Sequence, residues 1–280
     1  TRRSSDLPKP AHNRIVKQFA AKWQAEQNQQ VTFKQTYGGS GSQTRAVIDG
    51  LPADVVHLAL GSDVNKLAKA SLVAQDWEKK LPNNAIVAKS VVTIVVRKGN
   101  PKKINDWSDL TREELSVIVP NPKTSGNGRY TYLAAWGYAL DKFGTEAKAR
   151  NFVTELFKNV PVLDGGGRGA TTTFTQRGVG DVLVTFENEA ILIGKELGQD
   201  KFDVVYPSIS IDAAAPVAVV KSPVLVVILT PPPPRFCTMP ELLVILLTPL
   251  ECSFNKPSLL KVPPPYFSKR PKVELPAVAT

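Results

Sequence analysis

Ile15, Val16, Phe19 and Trp23 fall at the three- and four-residue spacing of one helical face, which predicts an amphipathic helix over residues 13–27. Val31, Thr32 and Phe33 predict a short strand at 31–34. Beyond them, β-branched apolar runs alternate with helical periodicity. Strands are expected at 54–60, 90–97, 115–119, 162–163, 182–186 and 202–206. Helices are expected at 43–49, 64–70, 129–143, 147–159, 171–177 and 189–197. Strand and helix in alternation predict an α/β architecture with parallel sheets. Ligands of such sheets sit beyond the carboxyl ends of the strands, where loops enter helices.

Three such loops share one chemistry. Residues 38–42 (Gly-Gly-Ser-Gly-Ser), 124–128 (Thr-Ser-Gly-Asn-Gly) and 165–173, which begins Gly-Gly-Gly-Arg-Gly, each run into an expected helix. A helix start leaves backbone N–H groups unpaired, with the positive end of the macrodipole behind them. Glycine lets that backbone close on a ligand, so the three loops together predict an anion site built without cationic side chains. None is a nucleotide loop. Lys123 precedes its glycines instead of following them, and the glycine run at 165–169 lacks the dinucleotide spacing.

Composition narrows the field. The 280 residues are 42% hydrophobic and 21% charged, enough for one or two folded domains. The longest apolar runs, 224–229 and 242–247, are far shorter than the ~18 residues of a membrane helix. The first residues carry no apolar signal region, so an exported protein is expected here in its mature form. Net charge is +10, yet no dense basic stripe is interleaved with aromatics, and no nucleic-acid partner is expected. The general positive field draws small anions instead.

Metal and catalytic chemistry find little support. The two cysteines, Cys237 and Cys252, lie far in sequence from His12 and His57, so no metal or other cofactor is expected, although a disulfide is open. His57 lies within an expected strand as a core or lobe-facing residue rather than a base, and His12 sits in an expected loop beside Pro8 and Pro10. Glu187 and Glu189 are read as a cap on the following helix. No Gly-x-Ser-x-Gly elbow occurs, and a hydrolase using Ser40 or Ser125 would lack a base and an oriented triad. The protein is expected to bind, not to catalyse. Residues 221–280 differ in kind: they hold 13 of the 23 prolines, both cysteines and none of the 18 glycines. A proline-rich extension, a frameshifted end and a misassigned sequence are the readings of that tail.

The motifs Tyr37-Gly38-Gly39-Ser40-Gly41-Ser42-Gln43-Thr44-Arg45, Asn121-Pro122-Lys123-Thr124-Ser125-Gly126, Arg168-Gly169-Ala170-Thr171-Thr172-Thr173-Phe174 and Gly178-Val179-Gly180-Asp181-Val182 resemble the periplasmic sulfate- and thiosulfate-binding proteins of bacterial ABC importers. The likeness runs from about Phe19 to Val220. It implies a type II periplasmic-binding-protein fold, two α/β lobes joined by crossover strands near 90–97 and 204–210, with a ligand cleft between them. On that basis residues 1–89 form the first part of lobe I, 90–204 lobe II, and 205–280 the second part of lobe I. The resemblance further implies a monomer in the periplasm that hands sulfate or thiosulfate to permease subunits in the membrane.

It also implies the ligand set. Sulfate is expected to be held by the N–H groups of Asp6, Ser40, Gly126, Asn127 and Gly167 and by the Ser125 hydroxyl, with Arg129 and Arg168 outside direct contact. Phe186 stands where the family has a tryptophan whose indole N–H donates to sulfate. Phenylalanine has no donor, and a lost charge-assisted hydrogen bond is worth on the order of 1.5–3 kcal/mol. Asn127 and Gly167 replace a usual glycine and alanine but keep the N–H. After Asp6 the run Leu7-Pro8-Lys9-Pro10 departs from the family. Sulfate carries no proton at neutral pH, whereas hydrogen phosphate needs an acceptor, and only Asp164 borders the three loops. Sulfate is favoured over phosphate on that ground, and a binding protein for another tetrahedral oxyanion such as phosphate or molybdate is the alternative.

Overall fold

The computed structural model describes residues 2–5, 9–198, 200–221 and 267–269. In its first sheet, β1 (Arg2–Ser5) lies between β2 (Gln35–Gly38) and β3 (Val55–His57), parallel to both. Parallel neighbours need crossover connections, supplied by α1 (Lys9–Gln27) and α2 (Ser40–Ile48); α3 (Gly61–Lys69) follows β3. Val47, Val56, Leu58, Val64, Leu67 and Trp77 close the core of this sheet.

In the second sheet, β4 (Ile86–Arg97) runs antiparallel to both β6 (Val182–Phe186) and β7 (Phe202–Val205), and β5 (Val117–Ile118) lies parallel to β6. Strict alternation sorts its residues to two faces. Val92, Ile94, Val96, Val117, Val182 and Val184 face one core, which α4 (Gly126–Phe143) and α5 (Glu146–Lys158) cover with Ala134, Tyr138, Phe152 and Leu156. Val95, Ile118 and Leu183 face the other, covered by Phe174 of α6 (Gly167–Thr175) and Ile193 of α7 (Glu187–Leu197). Burial on both faces explains why these strands read as unbroken apolar runs.

One antiparallel ribbon joins the sheets. Residues 86–91 of β4 pair with 212–216 of β8 (Ile209–Val219). The remainder of β4 enters the second sheet, and the end of β8 reaches β3 in the first. The short β9 (Phe267–Lys269) pairs with the start of β8.

Several elements differ from the sequence-based expectations. Residues 31–34 form no strand; Phe33 packs edge-on against Phe19 of α1, and pairing with β1 places the strand at Gln35–Gly38. Val162 and Leu163 are exposed loop residues. The second crossing strand is β8, whereas 204–210 is divided between the end of β7, a connecting stretch and the start of β8. Its alanines and Pro216 carry little strand propensity, so partner strands define it. His12 lies in α1 and is buried, not in a loop. The helices α2, α4 and α6 begin three or four residues before their expected starts, at Ser40, Gly126 and Gly167. The Gly- and Ser-rich segments read as loops are therefore the first helical turns themselves. Asp6 lies outside the described residues, as do Cys237, Cys252 and nearly all of the proline-rich tail.

Candidate functional site

Three helix N-termini are fastened to one another. The N–H groups of Gly41 and Ser42, at the start of α2, both donate to the Thr124 carbonyl, at 2.9 and 3.3 Å. The Thr124 hydroxyl donates to the Gly165 carbonyl at 2.9 Å, just before α6. Asn121 N–H donates to the Asp164 carbonyl at 2.8 Å, tying the same two loops again. Close approach demands glycine at residues 39, 126 and 128; a Cβ on Gly128 would lie 2.2 Å from the Pro120 carbonyl oxygen. A Cβ on Gly39 would lie 2.5 Å from the carbonyl oxygens of both Thr124 and Gly165, and one on Gly126 would lie 2.3 Å from the Ala59 Cβ.

With Gly41 and Ser42 satisfied within the protein, other donors remain. Among the described residues none accepts from the N–H groups of Ser40, Gly126, Asn127 or Gly167. Ser125 is the N-cap of α4, its oxygen accepting from Gly128 N–H at 3.3 Å, which leaves the hydroxyl proton to donate elsewhere. Ser40, Ser125, Gly126, Asn127 and Phe186 line one cavity of about 340 Å³. The Asn127 side chain is occupied, its amide donating to the Thr185 hydroxyl at 3.0 Å, so this residue offers its backbone. Gly167 is buried at the start of α6 but does not line the cavity. Phe186 ends β6 and occupies the N-cap position of α7 without a side-chain cap, its ring 5.7 Å from Tyr130 in an edge-on contact. Burial pushes the Tyr130 phenol up to about 12, so it stays a neutral donor, lying 3.4 Å from the Ala214 carbonyl.

Neither expected arginine lines the cavity. Arg129 grips the fully buried Asp63 of α3 with both terminal nitrogens, Nη1 at 2.6 Å, while the Ser40 hydroxyl donates to the same carboxylate at 2.7 Å. Burial alone would raise the Asp63 carboxyl. The hydrogen bonds and charge of Arg129, with Ser40 and Lys66, outweigh it and hold the group below its ordinary value. Arg168 pairs with the buried Glu189 at 3.1 Å and with Glu196 at 3.4 Å. Both arginines thus brace helices whose starts carry the free N–H groups.

Sequence reasoning missed Asp63 and four polar residues lining the cavity: Lys89, Ser90, Asn188 and Lys195. Lys89 pairs with Asp212 across the ribbon at 3.1 Å. His57 also lines the cavity, its Nδ1 2.8 Å from His12 Nε2. Its place at the carboxyl end of a parallel strand was the available signal. Asp63 had none, because its partners lie 23 and 66 residues away.

Two α/β sheets joined by a strand ribbon, with helix N-termini converging on a cavity, define a binding protein of type II periplasmic architecture. Residues 6–224 match the family model described as bacterial extracellular solute-binding protein, and the chain belongs to that family. It is 53% identical over 218 residues to a thiosulfate-binding protein of Pseudomonas aeruginosa, a match covering 78% of this chain and 66% of that protein. It is 49% identical to a sulfate-binding protein of Escherichia coli K12, with the same coverage. The match therefore spans just under two thirds of the length of these relatives. Among solved structures, the sulfate-binding protein SubI of Mycobacterium tuberculosis superposes with a TM-score of 0.71 at 36% identity, covering 78% of this chain and 74% of that one. The periplasmic binding protein P5PA shares the fold at a TM-score of 0.59 and 18% identity.

Proposed function

We propose that the protein captures sulfate or thiosulfate in the cleft between two lobes and delivers it to the membrane subunits of an ABC importer. The observation that carries this reading is the convergence of three helix starts at which the N–H groups of Ser40, Gly126, Asn127 and Gly167 have no acceptor among the described residues. Ser40, Gly126 and Asn127 would donate their backbone N–H groups and Ser125 its hydroxyl; Gly167, and Asp6 outside the described residues, would complete the set. Such donors stabilise a dehydrated dianion through fixed dipoles, without a cation in direct contact. Arg129 and Arg168 act behind them as braces. The lobes would comprise residues 1–89 with 205–280, and 90–204, and the protein would work as a periplasmic monomer.

The lining supports an unprotonated anion. Among the described residues no carboxylate lines the cavity to accept a proton from hydrogen phosphate, and Asp63 is occupied by Arg129, Ser40 and Lys66. Binding without turnover is supported by Ser40, whose hydroxyl is committed to Asp63 and accepts from Ala59 N–H at 3.0 Å. Calorimetric titration of anion-stripped protein tests the reading. One-to-one sulfate binding with phosphate weak or silent is expected. No heat with sulfate from a folded sample, or phosphate binding equally well, overturns it.

A further inference from the structure

The cavity is larger and more apolar than a bare tetrahedral ion requires. Its volume of about 340 Å³ falls within the ~300–1,000 Å³ of clefts that hold organic ligands. A bare oxyanion needs only a few times the ~30 Å³ that a water molecule occupies. The donors cluster at the starts of α2 and α4. Much of the remaining wall carries no hydrogen-bonding side chain: Ala88 of β4, Ala213 and Ala215 of β8, Phe186 of β6, and Ile191 and Leu192 of α7.

Two features mark this wall as a surface for an apolar group. Ala88, Ala213 and Ala215 occupy paired positions of the ribbon, where Ala88 faces Ala215 directly. Alanine is depleted in strands relative to the bulky residues that fill such surfaces, and three of them here keep the space open. Ile191, from a helix whose Ile193 is fully packed, remains 53% exposed beside the cavity. Lys195, one turn further along α7, has no acidic partner among the described residues and adds positive potential at the same wall.

We infer that the site takes organosulfonates, R–SO₃⁻ with a short alkyl or aryl group R. The sulfonate oxygens occupy the helix-terminus donors and R lies on the wall formed by the alanine ribbon, Phe186 and α7. This inference rests on the oxyanion reading of the donors proposed above and extends it to a second ligand class. Phe186 then has a part that needs no donor: its ring contacts R. A sulfonate is unprotonated at neutral pH, as the absence of a carboxylate in the described lining requires.

A homologous series separates this inference from the oxyanion reading itself. Sulfate and the n-alkanesulfonates from methane- to hexanesulfonate are titrated calorimetrically into the full chain, with hexylamine as the apolar control. Affinity is expected to rise about fourfold per added methylene, the equivalent of about 0.8 kcal/mol each, until the cavity is full. Long sulfonates are expected to displace sulfate competitively, and hexylamine to give no heat. If sulfate binds while the sulfonates are silent, or bind without any gain with chain length, the inference is overturned and the oxyanion reading stands. Sulfonates that bind without displacing sulfate overturn it as well. Silence with sulfate and sulfonates alike refutes the oxyanion reading first.

Discussion

Replacing Arg129 with alanine tests the brace behind the cavity. Asp63 is fully buried, while the Arg129 side chain is 20% exposed. Removing one partner of a buried ion pair strands the other, typically at about 3–5 kcal/mol. Asp63 would keep the Ser40 hydroxyl at 2.7 Å and Lys66 at 3.1 Å, which places the expected loss near the lower end, about 3 kcal/mol. That is about a hundredfold in the folding equilibrium. The pH dependence carries a further signature. In the wild type the Asp63 carboxyl is held below its ordinary 3.8, so its contribution is complete above that pH and is lost as pH falls through the folded value. In Arg129→Ala the largest remaining influence is burial, which opposes ionisation. The stability gap between the two proteins is therefore widest at neutral pH and narrows below about pH 4. Urea denaturation followed by circular dichroism between pH 3 and 8 measures it. An unchanged midpoint at pH 7, or a gap that does not narrow on acidification, refutes this account of the pair.

Three further substitutions probe the site. Gly126→Ala places a Cβ 2.3 Å from the Ala59 Cβ and 2.8 Å from Leu60 Cδ1. Overpacking of this kind costs about 1–3 kcal/mol; by forcing α4 from α2 it is expected to weaken sulfate binding at least tenfold, read by calorimetry. Ser125→Ala removes both the cap on Gly128 N–H and a hydroxyl donor to the anion. It is expected to lower stability by about 1 kcal/mol and affinity by about 1.5–3 kcal/mol, and an unchanged sulfate affinity would remove Ser125 from the ligand set. Trp107→Phe deletes the buried indole donor 2.7 Å from the Ile209 carbonyl. A stability loss of about 1–3 kcal/mol with sulfate affinity unchanged is expected; a large affinity loss would show that the start of β8 communicates with the cavity.

The sequence by itself determined the α/β class and marked the three glycine- and serine-rich segments as helix entries; the parallel pairing it led to expect holds in the first sheet, whereas β4 runs antiparallel to β6 and β7 in the second. The class and the entries rest on local signals: near-continuous β-branched apolar runs at 92–96 and 182–184, helical spacing in α5, and residue types that favour helix starts and close backbone approach. Tertiary structure alone decided how the pieces meet. β8 exists because β3 and β4 pair with it, not through propensity, since its alanines and Pro216 favour no strand. The convergence of α2, α4 and α6 depends on hydrogen bonds between residues 41 and 124 and between 124 and 165. The Asp63–Arg129 pair and the apolar wall shared by β4, β6, β8 and α7 likewise join positions distant in the chain. A helix start advertises its free N–H groups in the local sequence. Which of them remain free, and what stands beside them, depends on contacts that form only when distant segments pack.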